Sequence, residues 1–538
     1  MELVVQVQSL EALAAALKLA VGGVALKLPP RPAAGWWAEA KACQAEAQRR
    51  GIRFYLVWDG LVKEAERAWA MEALAAVASM SPEALVIRDL GLCRQARRHF
   101  PGLKLHAAEN WGCLNSLGLR QAQALGFSRV VLGGLPTLKD LALMRRQSSL
   151  PLEVVLGQTC SGFSGLCLLP EYLGIDCAFC AGLVSQEDNP GARLAAGFKM
   201  LAGLAQLGVE AVQVAGGFSE GEPLGQVVQL YQTVWEASPA ARPQVLAAAR
   251  EVLTAFKESL TAVVGPEEPA LREPQKTRAD KRGASRLQPE PELRLERRRL
   301  WLEARNYGEA VALAREWREP LVLELTPETY RAFLPEHRRW GGRRLIWRLP
   351  SVIFESALSF YRKAMETLQQ GGYARFVAGD WGAVALVRQV GGEVLGDQTL
   401  GVRNSWALKT ARELGVAKVC LPPGRRPEDW QELLQQGTPA SFWSYVYHFP
   451  ALAVWPREAA PALSRRRGPL GEKLRLAPEG DLIFLCKEVP EYLGSLGGWL
   501  KQHRVAPLIL ALPRSGLPRG QVPAWVAPEP KRRGLKEV

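Results

Sequence analysis

A chain of 538 residues is too long for one ordinary hydrophobic core, and 48% apolar with 23% charged residues is the composition of soluble globular domains, so at least two domains are expected. A net charge of +14 favours polyanionic partners such as RNA, although a basic surface also serves solubility. No uncharged apolar run approaches the ~18–20 residues that cross a bilayer. Nine cysteines are too sparse for a stapled secreted domain, and no basic-then-apolar signal follows Met1, which together predict a cytoplasmic protein with reduced thiols.

In chain order, short apolar runs alternate with amphipathic stretches such as Glu64 to Ala78 and Ala195 to Leu207. The runs are Leu3 to Val7, Val24 to Leu28, Arg53 to Val57, Leu85 to Ile87, Leu103 to Ala107, Arg129 to Leu132, Leu152 to Leu156 and Ala211 to Ala215. Eight strands alternating with helices predict an α/β fold, a TIM-barrel-like (β/α)8 domain over residues 1–264.

Directly after the seventh run come Cys160, Cys167, Cys177 and Cys180, within 21 residues and interleaved with Ser161-Gly162 and Ser164-Gly165. Four thiolates close the coordination of a zinc ion or hold an iron-sulfur cluster, and glycines let backbone N–H groups approach the sulfurs. Cys177-x-x-Cys180 has knuckle spacing, which keeps structural zinc open, whereas six residues between Cys160 and Cys167 exceed the usual zinc hairpin and favour iron-sulfur. Cys43, Cys93, Cys113, Cys420 and Cys486 stand singly where a buried inert thiol is expected, with Cys43 or Cys113 able to be recruited.

Residues 265–299 are rich in Pro, Glu, Lys and Arg without apolar period and are expected to be an exposed linker; Lys276, Arg278, Lys281, Arg282 and Arg286 make it a candidate RNA-binding segment. Residues 516–538 form a second basic stretch, the tail. Between them, over 300–515, the plan repeats. Leu300 to Ala304, Leu321 to Leu325, Leu345 to Arg348, Arg375 to Ala378, Glu393 to Leu395, Lys418 to Leu421, Phe442 to Tyr447 and Leu508 to Leu510 read as strands, with Leu482 to Cys486 as an extra run. Asp89-Leu-Gly91 matches Asp380-Trp-Gly382, Asn115-Ser116 matches Asn404-Ser405, and Leu125-Gly126 matches Leu414-Gly415, in the same order and near-constant offset, which predicts tandem barrels, the second a degenerate copy. Where the cysteine loop would recur, Ser444 to Trp455 contains no thiol, so binding, docking or stability is expected of the second copy rather than metal chemistry.

The cysteine loop after Leu152-Glu-Val-Val-Leu-Gly157 resembles the signature of the collagenase-like peptidase family U32, supported by Val86-Ile-Arg-Asp-Leu-Gly91, Leu105-His106-Ala107 with Asn115-Ser116, and Leu207-Gly-Val-Glu-Ala211 with Gly216. The resemblance covers roughly residues 1–260. It implies a 4Fe-4S cluster on Cys160, Cys167, Cys177 and Cys180, substrate contacts at Asn115 and Gly216, and oxygen-independent hydroxylation of a tRNA or rRNA base with prephenate as hydroxyl donor. A protease, a quinone-precursor hydroxylase component and a metal-stapled RNA-binding protein remain alternatives, as does association with a protein partner or a second copy. His106, at a strand end, is the candidate proton-transfer or substrate-binding residue against a purely structural histidine. The chain departs from the family at Ala215-Gly216-Gly217, where Glu-Gly-Arg is usual, and in the shorter spacing to Cys177 and Cys180. No His-Glu-x-x-His or Gly-x-Ser-x-Gly supports hydrolysis.

Overall fold

The computed structural model describes residues 1–156, 190–255 and 300–511, apart from 34, 134–135, 215–221, 305, 316, 343, 423–427, 437–440, 449–450, 457–473, 480–481, 488–490 and 494–495. The cysteine loop, Gly216, the linker with its five basic residues and the tail lie outside the described residues.

The first eight predicted runs form β1 (Glu2–Val7), β2 (Gly23–Lys27), β3 (Arg53–Trp58), β4 (Ala84–Ile87), β5 (Leu105–Ala107), β6 (Arg129–Leu132), β7 (Leu152–Leu156) and β8 (Ala211–Val214), parallel, in chain order and closed by β8 on β1. Strands buried on both faces read as apolar runs. Val4, Ala25, Tyr55, Val57, Val86, Val131, Val155 and Ala211 fill the barrel, while Val5, Leu26, Leu56, Ile87 and Leu105 face the helices. Those helices are α1 (Leu10–Ala16), α2 (Trp36–Arg49), α3 (Arg67–Met80), α4 (Leu90–His99), α5 (Ser116–Ala124), α6 (Leu138–Gln147), α7 (Pro190–Gln206), α8 (Glu222–Glu236) and α9 (Arg242–Ala255).

A second parallel barrel follows, made of β9 (Leu300–Ala304), β10 (Leu321–Glu324), β11 (Leu345–Arg348), β12 (Arg375–Ala378), β13 (Glu393–Gly396), β14 (Val416–Cys420), β15 (Phe442–His448) and, after an insertion, β20 (Leu508–Ala511). The insertion after the seventh strand is an antiparallel sheet of β16 (Ala451–Pro456), β18 (Leu482–Lys487) and β17 (Leu474–Glu479), and the short β19 (Glu491–Tyr492) adds to the end of β15. The helices are α10 (Tyr307–Leu313), α11 (Pro327–Phe333), α12 (Leu358–Gln370), α13 (Trp381–Gln389), α14 (Ser405–Glu413), α15 (Glu428–Gln436) and α16 (Gly497–Gln502). The tandem (β/α)8 expectation holds for every barrel strand. No described helix is long and apolar enough to cross a membrane.

The barrels meet through two helix pairs, α4 on α14 and α5 on α13, so the fourth helix of each barrel packs on the fifth of the other. This near-twofold contact explains two glycines. A Cβ on Gly91 would lie 2.4 Å from Asn404 Oδ1, and one on Gly382 2.4 Å from Asn115 Oδ1, so the close helix approach demands glycine on both sides.

Candidate functional site

Sites in this architecture sit where strands end at their carboxyl side. In the first barrel, the alternation that turns Val4, Ala25, Val57, Val86 and Ala211 inward brings Gln6, Lys27, Asp59, Arg88 and Gln213 to that end, one position beyond the apolar layer. Gln213 donates to Gln6, Lys27 Nζ lies 3.0 Å from Asp59 Oδ2, and Asn110 Nδ2 donates to the Asp59 carbonyl at 3.1 Å. Glu109 lies against Gly133, where a Cβ would come within 2.8 Å of its carboxylate. This polar mouth was not singled out by sequence. Its signal is one polar residue at an inward position at or just past the end of five of the eight apolar runs, those of β1, β2, β3, β4 and β8.

His106 lies one layer deeper, 5% exposed, with its ring 5.6 Å from that of Tyr55. Burial, reinforced by Arg129 and Lys104, lowers its pKa to about 3, so the imidazole is neutral at physiological pH. Its Nδ1 has no hydrogen-bond partner among the described residues. Beneath it the amino end of the barrel is filled by an ionic layer in which Tyr55 donates to Glu2 at 2.9 Å and Arg129 pairs with Glu153 at 3.1 Å and Glu2 at 3.4 Å. Burial opposes the Arg129 charge, but Glu153, Tyr55 and Glu2 outweigh it and raise its pKa. Access to His106 is therefore from the mouth.

The four candidate metal ligands Cys160, Cys167, Cys177 and Cys180 lie outside the described residues, as does Gly216. The structure describes only the ends of their loop, Leu156 closing β7 at the mouth and Pro190 opening α7. A four-thiol donor set suits a soft metal or an iron-sulfur cluster. Four of the five single cysteines fit the buried, inert reading: burial raises Cys93 to about 12 and Cys113 well above the ordinary thiol range, and Cys420 and Cys486 are buried, whereas Cys43 is only half-buried. Among the described residues no group of three or more His, Cys, Asp or Glu is arranged to hold a metal.

Asn115 is placed away from the mouth. Fully buried at the contact between barrels, it caps α5 by accepting from the Gly118 amide at 3.0 Å and donates Nδ2 to the Ile353 carbonyl of the second barrel at 2.8 Å. Both polar atoms are thus committed to architecture, which accounts for its recurrence as Asn404.

The mouth of the second barrel is built differently. Arg348 on β11 pairs with Glu303 of β9 at 2.8 Å and Asp397 after β13 at 2.6 Å, and also bonds the Tyr445 hydroxyl of β15, on which His448 stacks at 4.5 Å. Alternate strands thereby contribute one cross-linked layer at the end that is a polar mouth in the first barrel.

Residues 19–182 match Peptidase family U32. Over 130 residues, 24% of this chain, the chain is 31% identical to tRNA hydroxylation protein P of Escherichia coli and 29% identical to that of Haemophilus influenzae. The match spans 29% and 28% of those two proteins, less than a third of their length. Among solved structures, thiamine phosphate pyrophosphorylase from Pyrococcus furiosus is similar at 11% identity and TM-score 0.29, over 46% of this chain and 96% of that one. The 3-dehydroquinate dehydratase of Aquifex aeolicus is similar at 14% identity and TM-score 0.27, over 44% and 100%. The family match runs from before β2 through the cysteine loop, so it is the first barrel of this chain that is similar to Peptidase family U32.

Proposed function

We propose that the first barrel is an iron-sulfur enzyme for oxygen-independent hydroxylation of a tRNA base. The observation that carries this reading is the match, over 130 residues, to two proteins named for tRNA hydroxylation. Cys160, Cys167, Cys177 and Cys180 would hold the 4Fe-4S cluster, zinc being the alternative, and a cluster there supplies one-electron chemistry without oxygen. The chain's own residues do the rest. Lys27 and Arg88 give the mouth cationic side chains able to meet an anionic donor such as prephenate, with Asp59 fixing Lys27 at 3.0 Å. His106 stays neutral, and its buried Nδ1, without a partner among the described residues, can accept or, in the other tautomer, donate. The basic linker residues Lys276, Arg278, Lys281, Arg282 and Arg286 would add sequence-independent phosphate contacts in the cytoplasm.

The peptidase alternative finds less support: no hydroxyl or thiol among the described residues hydrogen-bonds His106, so the nucleophile-and-base arrangement of covalent hydrolysis is missing from that part of the site. The test is nucleoside mass spectrometry of tRNA and rRNA from cells with and without the protein. Loss of one hydroxylated nucleoside is expected on deletion, restored by the wild type and not by Cys160→Ser. Unchanged nucleosides, with peptide cleavage by the purified protein, would reject the reading.

A further inference from the structure

The second barrel carries no cysteine loop and its own mouth is occupied by the Arg348 layer, yet it touches the first barrel at three consecutive mouth segments. After β3, in the loop that begins with Asp59, the Val62 carbonyl accepts from Asn404 Nδ2 at 2.8 Å, and Glu64 accepts from the Ser405 amide at 2.6 Å and hydroxyl at 3.0 Å. After β4, Asp89, the neighbour of Arg88, accepts from Asn404 Nδ2 and from the Val62 amide, both at 3.0 Å. After β5, in the loop of Glu109 and Asn110, Trp111 stacks on Trp381 with ring centres 6.2 Å apart, and Leu114 enters an apolar cluster with Val352, Val454 and Phe484. The same loop ends on Ser116, whose amide and hydroxyl reach Glu355 at 2.5 and 2.9 Å. Asn110 ties the first and third segments together through the Asp59 carbonyl.

Loops at a barrel mouth are the mobile part of such a fold, and a reacting group misplaced by about 1 Å costs on the order of 100-fold in rate. We infer that the second barrel is the positioning element of the first: Asn404, Glu355 and Trp381 fix the segments that carry Asp59, Arg88, Glu109 and Asn110, and so set the geometry of the mouth. None of the three reaches the mouth interior. Each acts through a backbone or a neighbour, and Asn404 is the pin, since one amide group holds the loop after β3 and the turn after β4 at once. The inference rests on the hydroxylase reading for its catalytic consequence alone.

The test uses the full-length protein with Asn404→Ser and Glu355→Ala, and Glu355→Gln as the conservative partner. Serine still caps α14, so the second barrel keeps its helix while both cross-barrel donations are lost. Glutamine keeps one acceptor for Ser116. Hydrogen–deuterium exchange should quicken on the order of tenfold in residues 59–66 and 108–116 while β1, β2 and β8 stay protected. Iron per chain should be unchanged. Hydroxylated nucleoside in tRNA from cells with matched protein levels should fall on the order of tenfold, with partial recovery in Glu355→Gln. Unaltered exchange in the two loops overturns the inference. So does exchange that spreads to β1, β2 and β8, because the contacts then serve only to hold the protein together, and so does full hydroxylation despite loosened loops. If the wild type itself hydroxylates no nucleoside, the functional reading fails while the exchange arm still decides whether the loops are held.

Discussion

Asp89 and Asp380 occupy the same place in the two barrels, each capping the fourth helix, yet replacing them with asparagine should have opposite effects. Asp380 Oδ1 accepts from the Ala383 amide at 2.9 Å, while its Oδ2 is buried without a partner among the described residues, and burial raises its pKa from the ordinary 3.8 to about 7. That difference corresponds to roughly 4 kcal/mol of preference for the neutral carboxyl. Between those two pH values the native state holds a proton that the unfolded chain has released. Stability from this residue is therefore complete below 3.8 and is lost as the pH rises to about 7. Asparagine caps as well as aspartate and has no charge to bury. Asp380→Asn should accordingly gain about 2–3 kcal/mol more over the wild type at pH 8 than at pH 5. At Asp89 burial raises the pKa to about 6, but Oδ2 accepts from both the Val62 amide and Asn404 Nδ2. An amide there would point its own N–H groups at two donors, so Asp89→Asn should lose about 2–4 kcal/mol at pH 5. Denaturant titrations of both variants and the wild type at the two pH values measure the differences. An Asp380→Asn advantage that does not change with pH would refute the assignment of a buried, protonated carboxyl.

Arg348→Met should cost up to about 3 kcal/mol in the same titrations, because the partly buried Glu303 and Asp397 carboxylates are left without their cation, and adding Glu303→Gln and Asp397→Asn should restore most of it. Anaerobically purified protein should hold about four irons per chain, lost with Cys160→Ser or Cys167→Ser and retained with Cys93→Ser or Cys420→Ser; stoichiometric zinc with little iron would assign a structural site instead. RNA binding should weaken steeply with salt, and neutralising Lys276, Arg278, Lys281, Arg282 and Arg286 should flatten the slope by up to about 0.9 for each phosphate contact removed from duplex RNA; an unchanged slope would remove the linker from the interface.

The barrel strands were legible because a strand buried on both faces appears as an uninterrupted apolar run, and Leu56, Ile87 and Val154 are as hidden on the helix side as Val57, Val86 and Val155 are inside. The insertion sheet was legible only in β18, which is apolar throughout, whereas β17 carries Arg475 and Pro478 and β16 follows β15 so closely that the two read as one thiol-free stretch. The mouth was hardest to see. The run at Arg53 stops before Asp59 and the one at Leu85 before Arg88, because a polar side chain facing the barrel end looks, in sequence, like the start of a loop.

Matching residues in the two copies mark the duplication, and Asn115, expected as a substrate contact, lies at the seam between the barrels. A twofold-like contact presents the same surface from both sides, so it requires the same residue twice. Asn115 and Asn404, Ser116 and Ser405, Gly91 and Gly382, and Glu64 and Glu355 all meet there. The mouths behave oppositely. Strand register equates Gln6 with Glu303, Lys27 with Glu324, Val57 with Arg348 and Val155 with Tyr445, and the hydrogen bonds to the preceding strand equate Ala108 with Asp397. Each pair differs in charge or polarity. In the second barrel Arg348, Glu303, Asp397 and Tyr445 assemble a cross-linked layer; in the first the equivalent positions leave a cation, amides and small side chains around a neutral histidine. One end of the duplicated barrel differs while the seam is alike, the pattern expected if the proposed site of the first barrel is braced by a copy of itself.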